Sequence, residues 1–196
     1  LYVLALADKR LVQIADDPRD MIRDYTWSPK GAYLAFSMSD LSGYRSLHIW
    51  SAADGKVHRA TGEVWNEQSP SWDPEGDYLY YLSERQFAPQ ISQIEWNFAG
   101  GRMTGLFALT LRKDGKSAFP PQSDEVTFGE KKEDDASAGK NEQKAGTEKK
   151  GTPFRIDFDG LADRVTRVPV EADDYFGMVA VKGHLLYLRA DAPFYG

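Results

Sequence analysis

One eleven-residue pattern occurs twice, 45 positions apart, and it restricts the possible folds more than any other feature of the chain. Thr26-Trp27-Ser28-Pro29-Lys30-Gly31-Ala32-Tyr33-Leu34-Ala35-Phe36 aligns without a gap with Ser71-Trp72-Asp73-Pro74-Glu75-Gly76-Asp77-Tyr78-Leu79-Tyr80-Tyr81. Trp, Pro, Gly, Tyr and Leu recur in register. Self-similarity with a period of about 20 to 50 residues marks repeated supersecondary units that stack on one another. Each copy predicts a strand, a tight turn and a second strand: Pro29 and Pro74 preset φ at the first corner, and Gly31 and Gly76 accept a positive φ.

A second half-pattern completes the unit. Leu47-His48-Ile49-Trp50, running into Asp54-Gly55, resembles Leu1-Tyr2-Val3-Leu4 running into Asp8-Lys9, and more loosely Leu106-Phe107-Ala108-Leu109 running into Asp114-Gly115. Each is an apolar strand closed by a turn signal. Four strands in about 45 residues make one blade of a β-propeller. The expected class is therefore all-β, a partial propeller of four-stranded antiparallel blades, with the chain starting inside a blade. An elongated hairpin is expected before Leu106, with Ile94, Trp96 and Phe98 alternating on one face and Ala99-Gly100-Gly101 closing it.

Composition changes abruptly after about Gln122. Between Glu130 and Lys150 stand six acidic and six basic side chains and no large apolar residue. Such a stretch cannot offset a backbone entropy cost of about 1 to 2 kcal/mol per residue. The expected organisation is blades over 1–121, a disordered, low-complexity charged insertion over 122–151 and continued propeller over 152–196. Without the insertion the remainder fits three to four blades, whereas a closed ring takes about 4 to 8. Strands are expected at 154–158 and 165–170, followed by a hairpin of Tyr175–Ala180 and Leu185–Leu188 about Lys182-Gly183.

Charge and composition exclude several functions. Lys plus Arg number 24 against 30 Asp plus Glu, a net charge of −6, so no basic field draws in a phosphate backbone and nucleic acid is not an expected partner. The chain has no cysteine, which removes thiolate nucleophiles and zinc-thiolate sites. No apolar run reaches membrane-spanning length, and the start at Leu1, with no charged-then-apolar leader, reads as an excised or processed segment.

The Trp-x-Pro-x-Gly-x-Tyr-Leu hairpins resemble the repeats of TolB-like propellers. Phe154-Arg155-Ile156-Asp157-Phe158-Asp159-Gly160-Leu161-Ala162-Asp163-Arg164-Val165 resembles a segment of tricorn-type proteases, as do the residues from Glu95 to Met103 and Thr104 to Leu109. The resemblance implies a serine peptidase built of two propellers, a PDZ domain and a catalytic module akin to C-terminal processing peptidases. It places this chain in the second propeller. In that family the nucleophilic Ser, its His and the oxyanion hole lie beyond the propellers, and no family catalytic residue maps here. The implied role is substrate gating and scaffolding for peptide hydrolysis. Peptides or unfolded polypeptides, the rest of its own protease chain and further copies of the parent are the implied partners, in the cytoplasm or alternatively the periplasm. A non-catalytic TolB-like propeller binding protein partners, or the propeller of a prolyl-oligopeptidase-like hydrolase, are the alternatives.

The residues themselves support no catalytic, cofactor or metal assignment, and no cofactor is expected. His48, His58 and His184 lack a nucleophile at a recognisable spacing and read as structural or solvated. Asp157 and Asp159 would share a strand face, a spacing open to calcium or acid-base chemistry. However, Asp159-Gly160 is ordinary turn chemistry and further oxygen ligands are missing. Asp16, Asp17, Asp20 and Asp24 read as a solvated acidic link. Trp27 and Trp72 are expected to pack between blades, whereas Trp65 and Trp96, which do not recur, are candidates for a contact surface.

Overall fold

The computed structural model describes residues 1–86, 89–91, 98–100, 102–120 and 154–190, and within them the radial reading holds. A first two-stranded sheet pairs β1 (Tyr2–Leu4) with β2 (Leu11–Gln13). The first complete blade runs in spatial order β3 (Arg23–Trp27), β4 (Tyr33–Ser39), β5 (Arg45–Ser51) and β6 (Val57–Arg59). The second contains β7 (Glu67–Trp72), β8 (Tyr78–Ser83), β11 (Gly105–Thr110) and β12 (Val165–Arg167). Between β8 and β11 lies a small hairpin of β9 (Pro89–Ile91) and β10 (Phe98–Gly100), and a final hairpin pairs β13 (Tyr175–Val181) with β14 (His184–Arg189). Two full blades flanked by two half-blades amount to three blades.

Turn chemistry and alternation explain these elements. In the first repeat the Gly31 amide donates to the Ser28 carbonyl at 2.8 Å, and the Tyr33 amide donates to Ser28 Oγ at 3.0 Å. Gly31 has φ +67° and Gly76 φ +82°, where a Cβ would be strained. Along β4, Leu34 and Phe36 face one way and Ala35 the other, a period of two. Leu34, Phe36 and Trp50 form a core with Leu1, Val3 and Ile14 of the preceding sheet. Ala35, Leu47 and Ile49 form the next core with Trp72, Leu79, Tyr81 and Leu109 of the second blade. Leu82, Leu106 and Val168 then pack with Met178 and Leu185 of the last hairpin. Each of the two complete blades is thus buried on both faces by its neighbours, and the three cores lie between sheets.

Four expectations require correction. Residues 154–158 form no strand: Phe154 and Phe158 flank Ile156 against the inter-blade core, and a 3-10 turn follows at Leu161–Asp163. The Asp157 amide donates to the Leu111 carbonyl, but Arg164, rather than a sheet ladder, ties the segment down. The strand expected at 165–170 stops at Arg167, because Pro169 has no amide to continue the ladder. Ala99 and Gly100 pair with Gln90 and Pro89 in β10, so they lie within a strand instead of closing the hairpin. Finally, Trp72 is 5% exposed and lies in the inter-blade core, but Trp27 is 46% exposed, with an edge contact to Trp50. The insertion expected at 122–151, and Ile94 and Trp96, lie outside the described residues.

Candidate functional site

The innermost strands β3, β7 and β13 share a device that the sequence did not announce. Each carries a bulge, at Asp24 (φ +55°), Ser69 (φ +53°) and Gly177 (φ +60°), where the ladder to the next strand shifts register. A bulge sharpens local twist, as consecutive sheets turning about one axis require. Asp24 and Gly177 are residue types that tolerate this conformation, which is the only trace in the sequence. Asp24 and Ser69 stand one repeat apart. Hydrogen bonds staple the inner strands across blades: the Ser69 amide donates to Asp24 Oδ2 (3.2 Å), the Trp72 indole N–H to the Thr26 carbonyl (3.0 Å) and the Ala180 amide to Ser71 Oγ (2.8 Å). The equivalent of Thr26 one repeat earlier would precede Leu1, so Trp27 has no such acceptor among the described residues.

At one end of the sheets the β2–β3, β4–β5 and β6–β7 loops form a charged platform. Arg59 Nη2 meets Asp40 Oδ1 at 2.5 Å, and its other nitrogen pairs with Glu63. Arg45 pairs with Asp20 and donates to the Met21 carbonyl at 3.3 Å, while its amide donates to Asn66 Oδ1 at 3.2 Å. Burial opposes ionisation of Asp17, yet the amides of Ser39, Arg19 and Asp20 outweigh it and hold its carboxyl below the usual value. These acids are therefore structural acceptors rather than a merely solvated link. Asp17 is half-buried, whereas Asp16, Asp20 and Asp24 are exposed.

Next to the platform, Glu67 and Arg85 meet at 2.5 Å beneath the start of β7. Glu67 is almost wholly buried, and desolvation raises its carboxyl above the ordinary value although Arg85 opposes this. The guanidinium also donates to Tyr81 Oη at 2.9 Å and stacks 4.8 Å above the Phe107 ring. Burial likewise pushes the Tyr81 phenol far up. This pair was missed in the sequence, since nothing local links positions 67 and 85.

The structure scatters the residues singled out for chemistry. His48 is buried in β5, stacked on Phe36 at 5.8 Å, and desolvation lowers its pKa. His58 stacks on Phe158 at 3.8 Å near Asp54, and His184 is exposed at the start of β14. No nucleophilic hydroxyl approaches a ring nitrogen among the described residues. Asp157 accepts the Lys113 amide at 3.0 Å and Asp159 pairs with the Lys113 ammonium, so each acts as a local acceptor in the 112–114 turn region. Among the described residues no group of three His, Cys, Asp or Glu side chains could hold a metal ion.

Comparison with known proteins places this geometry. The family model described as the tricorn protease second beta propeller domain matches residues 1–195. A tricorn protease homolog of Saccharolobus solfataricus is 26% identical over 189 residues, 96% of this chain and 15% of that protein. Tricorn protease homolog 1 of Streptomyces coelicolor is 30% identical over 163 residues, 83% of this chain and 14% of that protein. The chain thus spans about one seventh of the length of these relatives. A crystal structure of the tricorn protease superposes with a TM-score of 0.71 at 19% identity, covering 98% of this chain and 17% of the other, which bears on the fold alone.

Proposed function

This chain belongs to the tricorn protease second β-propeller family, and from that premise we propose that it forms part of the wall and filter of a passage leading to a peptidase centre. The supporting observation is the radial stack in which β3, β7 and β13 are the innermost strands of consecutive sheets and are joined by the Asp24, Trp72 and Ser71 staples. Rigid inner strands fix the width of a passage. Short or unfolded peptides pass, whereas folded proteins are too wide. Acyl transfer is then carried out by a Ser and His pair located elsewhere in the full-length protein. The partners on this reading are unfolded polypeptides, the remainder of the protease and further copies of it, in the cytoplasm. Among the described residues no helix is long and apolar enough to cross a membrane.

The test compares turnover by the full-length protein of an unstructured peptide and of the same sequence displayed in a folded domain. Cleavage of the first only, abolished by a serine-directed inhibitor, is the expected result. Equal cleavage of both contradicts the filter.

A further inference from the structure

The loop platform at one end of the first blade combines features that its ion pairs alone do not explain. Met21, Leu41, Tyr44, Val64 and Trp65 are all exposed there, Leu41 to 89%. They come from three loops that are firmly tied together. Arg45 joins Asp20 and the Met21 carbonyl to the loop holding Tyr44. The Arg45 amide bonds Asn66, next to Trp65, and Ser42 Oγ donates to the Glu63 carbonyl at 2.9 Å. Large apolar side chains held on an ordered frame lose little entropy on contact, which is the composition of a binding surface rather than of a solvated turn.

Leu41 also borders a cleft of about 170 Å³. Its charged lining comprises Asp16, Asp17, Asp40 and Glu63 against Arg19 and Arg59, a local net charge of −2. Both arginines are already engaged, Arg19 on the Asp40 carbonyl at 2.6 Å and Arg59 on Asp40 and Glu63. The Asp40 side chain is only 3% exposed, and its Oδ2 has no hydrogen-bond partner. A carboxylate with one unpaired oxygen, in the wall of a cleft of surplus negative charge, favours a cationic donor there. The volume lies well below the ~300 Å³ from which small-molecule pockets usually start, and suits one side chain.

We propose that this platform docks an extended peptide segment in which a Lys or Arg stands beside a bulky apolar residue. The cationic group enters the Asp40 cleft, and the apolar side chain lies over Leu41, Tyr44 and Trp65. This rests on the passage reading and adds to it a substrate preference set outside the catalytic centre. Charge complementarity selects the partner: a neutral or acidic segment leaves the surplus carboxylates facing one another.

The test is fluorescence anisotropy with the full-length protein, its peptidase activity blocked by a serine-directed inhibitor. The probes are two labelled unstructured peptides that differ only in a central Lys-Phe or Glu-Phe pair. The Lys-Phe peptide is expected to bind about tenfold more tightly, in a salt-dependent manner. Asp16→Asn should erase most of that difference, and Leu41→Ser, which removes a contact of the shared Phe, should weaken both peptides; both positions are exposed and not needed by the fold. Asp54→Asn, at the opposite end of the sheet, should leave it intact. Equal affinity for the two peptides overturns the proposal. So does hydrogen exchange showing the Leu41, Ser42, Val64 and Trp65 amides already protected without peptide, which would mean that another part of the protein or a second copy covers the platform. Size-selective turnover without a Lys-Phe preference sinks the docking site and leaves the filter standing. A Lys-Phe preference with equal cleavage of folded substrates sinks the filter instead.

Discussion

Trp27 and Trp72 hold the same place in the repeat and meet different surroundings. Trp72 fills the inter-blade core and donates to Thr26, while Trp27 has an edge contact with Trp50 at 6.0 Å and stays half-exposed. Trp72→Ala should therefore cost about 3–5 kcal/mol of local stability and Trp27→Ala about 1 kcal/mol, read by hydrogen exchange of the β4 and β8 amides. Equal costs would contradict the packing assignment. His48 makes a pH prediction. Burial lowers its pKa in the fold, so below the unfolded value of about 6.5 the unfolded chain binds more protons. Its contribution is present above that pH and is lost as pH falls, with a slope of at most about 1.4 kcal/mol per pH unit. His48→Leu should flatten the decline in thermal midpoint between pH 7 and pH 5, and an unchanged decline would show that other groups dominate.

At the scale of elements, local signals were legible and non-local ones were not. Pro29, Gly31, Pro74 and Gly76 announced their hairpins because turn chemistry is local. The segment 154–158 alternates like a strand, but its alternation serves side chains docking into a groove: Phe154 packs edge-on to Tyr33 at 5.4 Å and to Trp72 at 5.8 Å. Periodicity alone does not distinguish the two. Gly76 belongs to the same packing, since a Cβ there would overlap the Phe154 ring. The platform was half-visible: Trp65 stood out by not recurring, whereas the Asp40 cleft depends on Arg19 and Arg59, brought together only by the fold. Arg164 holds 154–163 in place, donating to the carbonyls of Thr110 and Asp159 at 3.0 Å and to those of Leu111 and Asp157. Arg164→Met should cost about 2–3 kcal/mol, since a charged donor serving partly buried carbonyls is lost. The measurement is limited proteolysis, which should cut faster between 154 and 163. An unchanged cleavage rate there would place the anchor in the Phe154 and Phe158 contacts instead.

For the molecule as a whole, stacking sheets about an axis buries both faces of the two complete blades and leaves large apolar side chains exposed on the flanking half-blades. Leu4 and Leu11 are exposed on β1 and β2, and Phe176, Leu186 and Leu188 on β13 and β14. Those faces have the character of inter-blade surfaces, in keeping with a chain that matches one propeller domain of much longer relatives. On the proposed reading, the innermost strands border the route taken by substrate. Tyr25, 64% exposed on β3, is the natural probe, because this chain has no cysteine of its own. The most direct measurement is turnover by full-length protein carrying Tyr25→Cys before and after coupling to a bulky maleimide polymer, with Tyr25-bearing protein treated identically as the control. Coupling is expected to slow hydrolysis of a long unstructured peptide at least about tenfold while a two-residue chromogenic substrate is much less affected. Equal rates for the long peptide before and after coupling would contradict that reading.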